Sequence, residues 1–144
     1  MVFPHRVTIY DKFEFTQGKF SYFRYVLYGV LYSSKLDSNV GSNGTVSSDL
    51  SVLQVPAIVR SDAPLGYSAP DKWVKGDDDF KENHFTFRKN QLIIKGDVEL
   101  DISDNKPIDI AKVKDTYVDA FVVDKVITAD YGAKNLQHWK LTGR

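Results

Sequence analysis

Three histidines, His5, His84 and His138, are the side chains best suited to binding a metal or moving a proton, and they lie far apart in the chain. Local metal sites use pairs at i and i+4 or a similarly short spacing, and no such pair is present. Isolated imidazoles more often cap or hydrogen-bond a neighbour, so these three are read as solvent-facing or core histidines. A second group, Asp77, Asp78, Asp79 and Glu82, has the oxygen ligands that a hard cation prefers. A calcium loop, however, needs carboxylates at alternating positions, a fixed glycine and a glutamate at the twelfth position. Three consecutive aspartates do not meet that pattern, and the run reads as a solvated acidic turn.

Nucleophilic chemistry lacks its usual anchors. The chain is rich in serine, but it contains no Gly-x-Ser-x-Gly elbow, and no glycine-rich loop precedes a helix to cradle phosphate. It contains no cysteine, which removes disulfides, thiolate metal sites and a thiol nucleophile together. Asn43-Gly44-Thr45 has the form of a glycosylation sequon, and Lys75-Gly76-Asp77 and Lys95-Gly96-Asp97 repeat a tripeptide. All three sit where turns are needed and are read as turns. No catalytic, cofactor-binding or metal-binding residue is assigned, and the chain is read as a protein without enzymatic activity.

The elements that could position a site are mainly strands. Phe20 to Tyr32 is crowded with aromatic and β-branched residues, and neither of its alternating faces is polar. Such a strand is expected to be covered on both sides, as in a closed barrel or sandwich. Ser33 to Ser51 is dominated by Ser, Asn, Asp and Gly and is expected to be a long exposed loop. A strand resumes at Leu50 to Val59, with Pro56 marking an edge or a strand end. Ser61 to Asn83 is expected to be a second irregular stretch. His84 to Arg88 and Gln91 to Lys95 read as a hairpin turning at Lys89-Asn90, and Val98 to Ile102 as a half-exposed strand. Ile108 to Thr116 is the one expected helix. Val118 to Thr128 and Leu136 to Thr142 supply two closing strands around a turn at Asp130-Tyr131-Gly132.

The fold class is therefore all-β with one short helix, a small β-barrel or sandwich carrying two long loops, in a single domain over residues 1–144. The 19 basic and 19 acidic residues cancel. That balance removes the broad attraction to phosphate or anionic lipid on which nucleic-acid and membrane binders rely. The N-terminal residues show no apolar signal region, and no apolar run approaches about 18 residues, so a soluble product made in the cytosol is expected.

Several stretches resemble a family encoded in the head-to-tail gene block of tailed phages and prophages, often labelled minor capsid protein. They are Val7-Thr8-Ile9-Tyr10-Asp11-Lys12, Gly29-Val30-Leu31-Tyr32, Val55-Pro56, Tyr67-x-x-Pro70-x-x-Trp73, Leu92-Ile93-Ile94-Lys95-Gly96, Asp130-Tyr131-Gly132 and Asn135-Leu136-Gln137-His138-Trp139-Lys140-Leu141. The ending Gln137 to Leu141 is also similar to the last strand of the small β-barrel head-closure, or stopper, proteins. The resemblance implies a structural virion protein of the phage neck, a ring subunit that joins the portal side of the capsid to the tail and helps retain DNA. Its implied partners are copies of itself, a portal or adaptor protein, and a tail terminator or tail tube protein. Packaged DNA would pass the channel without sequence-specific contact, and no membrane is involved.

Within that reading, Lys35, Asp37, Asn39, Asn43 and Asp49 are candidates for a loop facing the channel or a neighbouring ring. Tyr28, Trp73, His138 and Trp139 are candidate structural anchors. In the last strand Trp139 shares a face with Leu141 and is expected to point inward. The alternative, from a different class, is a barrel binding a small molecule or carbohydrate in a pocket lined by tyrosine and tryptophan.

Overall fold

The structure, a computed structural model, describes residues 4–41, 44–100, 102, 106–117, 119–129 and 137–144, with backbone alone at 34–41, 44–49 and 129. The turn expected at Asp130-Tyr131-Gly132 lies outside the described residues. Chain order gives β1 (His5–Thr16), β2 (Lys19–Gly41), β3 (Gly44–Pro56), β4 (Arg60–Ser61), α1 (Pro70–Lys75), α2 (Asp78–Asn83), β5 (Leu92–Lys95), α3 (Ile110–Thr116), β6 (Phe121–Ala129) and β7 (His138–Gly143). Six strands pair antiparallel in the order β1-β2-β3-β7-β6-β5, and β5 returns to β1, so the sheet closes into a barrel. β4 adds a short rung to β2. It resumes the line of β3 after Pro56, whose missing N–H breaks the ladder.

Closure requires each strand to keep its apolar face inward, and two β-bulges achieve this. In β2 the inward residues are Phe23, Tyr25 and Leu27, and beyond the bulge Val30 and Tyr32. The parity changes at Gly29, where His5 faces Val30 and Arg6 faces Tyr28, and Gly29 adopts φ +80°. A side chain would disfavour that left-handed conformation. β6 does the same at Asp124: Phe121 and Val123 precede the register shift, and Val126 packs on the core after it. Residues from both alternating sets of Phe20 to Tyr32 thus share a single inward face, because the strand changes parity midway.

A second, smaller core lies on the other face of β1 and β5. Tyr10, Leu92 and Ile94 pack there with Val113 of α3 and Ala120. Helix α3 starts at Asp109, whose carboxylate accepts from the Lys112 N–H. Val98, Leu100 and Ile102 also pack on this core, but Val98 and Leu100 do not join a ladder. The Val98 and Leu100 N–H groups donate to Thr8 Oγ1 at 2.9 Å and Tyr10 Oη at 2.7 Å, so hydroxyls on β1 replace the backbone partner of a strand.

Besides the half-exposed strand expected over Val98 to Ile102, which does not form among the described residues, three expectations are corrected. Ser33 to Ser51 is not a loop: β2 and β3 pair from Ser33 opposite Val52 to Gly41 opposite Gly44. Serine and asparagine have low strand propensity, but an antiparallel ladder started inside the barrel carries them outward. Ser61 to Asn83 is not irregular throughout, since it contains α1 and α2. His84 to Arg88 does not form a hairpin with β5, because β5 pairs with β1 and β6, and Phe85, Thr86 and Phe87 are buried without joining its ladder. Phe85 and Phe87 both pack in the main core, so the segment crosses the interior. Phe85 bridges to Tyr67, in parallel.

The far rim is closed by Gly143, which pairs with both Ser51 and Val123. A Cβ there would lie 1.9 Å from the Val122 carbonyl oxygen. Gly143→Ala is therefore expected to force the barrel seam apart, costing about 2 kcal/mol or more, with a fall in Tm of at least about 5 °C. An unchanged thermal melt would show that β6, β7 and β3 do not meet as described.

Candidate functional site

Along β1 the inward positions Val7 and Ile9 are followed by Asp11, so strand periodicity itself carries a carboxylate into the core. Its side chain is 3% exposed. The Arg88 guanidinium approaches to 3.1 Å, and the Gln91 Nε2 donates to it at 2.9 Å. The same Gln91 amide donates to the Thr86 carbonyl at 2.8 Å, holding the crossing segment beside β1. Thr86 Oγ1 and Gln91 Oε1 are buried without a hydrogen-bond partner among the described residues.

Over this cluster lies a flap made of α1 and α2. Its two ends are tied together at a neck: Leu65 N–H donates to Asn83, Phe85 N–H to Gly66, and Ser68 N–H to Phe85, at 2.9–3.0 Å. Gly66 turns the chain at φ +81°. Pro70 begins α1, and the Asp77 side chain caps α2 by accepting from Phe80 N–H.

Trp73 is the flap's anchor. Fully buried, it meets the edges of Phe13 and Phe23 at centroid distances of 5.8 and 5.5 Å, and its indole N–H donates to the His84 carbonyl at 3.0 Å and the Tyr25 hydroxyl at 3.1 Å. Tyr25 in turn donates to the Lys81 carbonyl. The Lys81 amine donates to the Val74 and Gly76 carbonyls, and lies 4.2 Å from the Phe13 ring centroid and 5.3 Å from that of Trp73. Arg88 lies 5.0 Å from the same indole. Two cations, two aromatic rings and one buried carboxylate thus share one end of the barrel.

Burial pushes the Asp11 carboxyl up to about 6, against the opposing pull of Arg88, Gln91 and Lys81. Burial also lowers the Lys81 amine, with Asp78 and Asp77 opposing. The Tyr25 phenol is raised by burial. Asp11 therefore exchanges a proton in a range where an exposed carboxylate is already ionised. Among the described residues, no three His, Asp or Glu side chains gather to hold a metal ion, and no helix is long and apolar enough to cross a membrane.

Of the residues singled out in the sequence, Trp73 and the His84 carbonyl lie here and Asp77, Asp78, Asp79 and Glu82 fall on the flap, while the others do not converge on the cluster. Lys35, Asp37, Asn39 and Asp49 lie on the paired arms of β2 and β3, opposite Leu50, Ser48, Val46 and Leu36. Asn43 lies outside the described residues. Tyr28 is half-buried on β2 beneath the Arg6 guanidinium, at 4.9 Å. His138 pairs with Pro56 and Ala129. Trp139 packs half-buried on the main core, 4.5 Å from Tyr67 and 5.3 Å from Phe87. Asp11, Lys81, Arg88 and Gln91 are not singled out by the sequence pattern, although an aspartate at the inward parity of Val7 and Ile9 is a signal.

Fold and cluster together define a closed antiparallel β-barrel with a helical flap over a buried charged end. The chain belongs to the family of unknown function DUF6751, whose model matches residues 3–144. No curated protein and no solved structure matches it.

Two stability measurements check the site. The neutral Asp11 carboxyl is the better buried form, so its stabilising contribution is complete below about pH 4 and is lost as pH rises through about 6. By denaturant unfolding, the stability of the native chain relative to Asp11→Asn is expected to fall by roughly 2–3 kcal/mol between pH 4 and pH 7. A difference independent of pH would contradict the placement of Asp11. Trp73→Ala is expected to cost roughly 3–5 kcal/mol and Trp139→Ala less, since only Trp73 is fully enclosed. The reverse order would show that the flap does not depend on its tryptophan.

Proposed function

We propose that this protein is a structural subunit of the neck of a tailed phage, a head-closure or connector ring component between the portal side of the capsid and the tail. The observation that carries this reading is the closed barrel from which the β2–β3 ribbon extends. β1 pairs with β2 only as far as Val30, and β7 with β3 only from Ser51, so beyond those points the two arms pair only with each other among the described residues. Ser33 to Gly41 spans roughly 30 Å at about 3.3 Å per residue. Such an arm, carrying Lys35, Asp37, Asn39 and Asp49, has the reach to contact a neighbouring subunit or ring. It has too little apolar surface for a core role.

The stretches carrying the phage-neck resemblance support the same reading by where they fall. Val7 to Lys12 and Leu92 to Lys95 are paired barrel strands, Gly29 to Tyr32 holds the β2 bulge, and Val55-Pro56 ends β3. Tyr67 lies in the neck of the flap, Pro70 and Trp73 in its first helix, and His138 to Leu141 in β7. These residues build an architecture rather than a reactive centre. Partners on this reading are copies of itself, a portal or adaptor protein and a tail terminator or tail tube protein, in the virion, after synthesis in the host cytoplasm. The ligand-binding alternative has less to support it, because Trp73, Phe85, Phe87 and Phe121 occupy the core where a barrel ligand would sit.

Replacing residues 35–49 with a tight turn is expected to leave the barrel folded while particles lose packaged DNA or fail to join tails. Complementation of a deletion with that shortened chain measures this. Full infectivity from the shortened chain would overturn the role given to the ribbon, and tailed, DNA-filled particles from the deletion itself would overturn the neck reading.

A further inference from the structure

We propose that the α1–α2 flap is a pH-gated lid on the barrel end, seated when Asp11 is neutral and loosened when Asp11 is ionised. The inference is independent of the virion reading. It stands first on how the flap is held. Backbone hydrogen bonds tie residues 65–68 to 83–85 at the neck, with Gly66 in a left-handed turn beside them. Above that neck, residues 69–82 are held to the barrel through Trp73, Lys81 and the Tyr25 hydroxyl. A segment closed at its base and fastened by side chains can swing as a unit, leaving the neck and the strands intact.

The fastening surrounds a buried carboxylate. Arg88 and Gln91 face Asp11 from the crossing segment, Lys81 from α2 and Tyr25 from β2, while β5 places Leu92 and Ile93 against β1. Two cations and an amide donor all favour the charged form, yet burial outweighs them and holds the carboxyl at about 6. Opening the flap removes Lys81 and Trp73 from beside the cluster and admits water to the carboxylate. Hydration lets the carboxyl return toward its ordinary value near 3.8. Because the closed state binds the proton more tightly, acid favours closure, and raising pH from about 4 to about 6 favours opening. A full return would multiply the open-to-closed ratio by about a hundredfold, one decade per pH unit between those values.

The test is hydrogen exchange on the intact chain at pH 5 and pH 8, with rates corrected for intrinsic exchange. Amides of α1 and α2 are expected to lose protection by up to about tenfold from pH 5 to pH 8, the value for a full return. Ile93 and Ile94 of β5 should keep theirs, and Asp11→Asn should show no change in the flap. That variant separates Asp11 from His84, which stacks on Phe80 within the flap. Flap protection independent of pH in the native chain, or an equal loss in Asp11→Asn, would overturn the proposal. Should Asp11→Asn not fold, Trp73 fluorescence in a Trp139→Phe background decides: an inflection near pH 6 supports the lid, and a flat profile overturns it.

Discussion

Keeping one face of every strand inward around a closed ring is the constraint on which this structure depends. A strand alternates its side chains strictly, so a strand that bends across a barrel would turn its apolar face outward unless its parity changes. Gly29 in β2 and Asp124 in β6 supply that change, one by a left-handed glycine and one by an inserted residue. Through them Leu27 and Val30, and Val123 and Val126, serve the same core. Gly143 then lets β3, β7 and β6 meet where any side chain would collide with backbone.

The closed ring has two ends, and they are finished differently. From one, β2 and β3 continue outward as a ribbon with no other described strand beside it. Elsewhere the crossing segment Phe85 to Phe87 and the buried indole of Trp73 fill the interior. Placing Asp11 there sets a conflict between hydration and packing. Arg88 and Gln91 answer it only incompletely, as the raised carboxyl shows. Buried charges of this kind contribute little net stability, and in some proteins they fix one arrangement over another. The flap, fastened by side chains to that cluster, is the element such a conflict would act upon.

Much of the barrel is legible in the sequence because burial leaves a period-two trace. The aromatic strand, the proline ending β3, the helix expected over Ile108 to Thr116 and found over Ile110 to Thr116, and the closing pair of strands can all be read from residue types and spacing. The ribbon is hidden because its serines and asparagines signal turns, and only pairing continued from inside the barrel makes them strand. The flap is hidden because two six-residue helices are too short to show a helical period. His84 to Arg88 misleads in the opposite direction, since alternating phenylalanines imitate a strand while Phe85 bridges to Tyr67 and not to β5. The charged cluster is illegible for a different reason. Its members come from β1, α2 and the crossing segment, and nothing local in Lys81, Arg88 or Gln91 announces that they meet.

The proposed place of the protein in a virion neck joins these features: a rigid barrel for ring packing, a ribbon for reaching a neighbour, and an interior filled by side chains. Electron cryomicroscopy of intact particles assembled from the genome encoding this chain tests that claim most directly. The account predicts a ring of six-stranded barrels between portal and tail, each fitted by this fold, with its ribbon against the adjoining subunit or layer. A neck fully accounted for by other chains, with this protein absent from the purified particle, would contradict it.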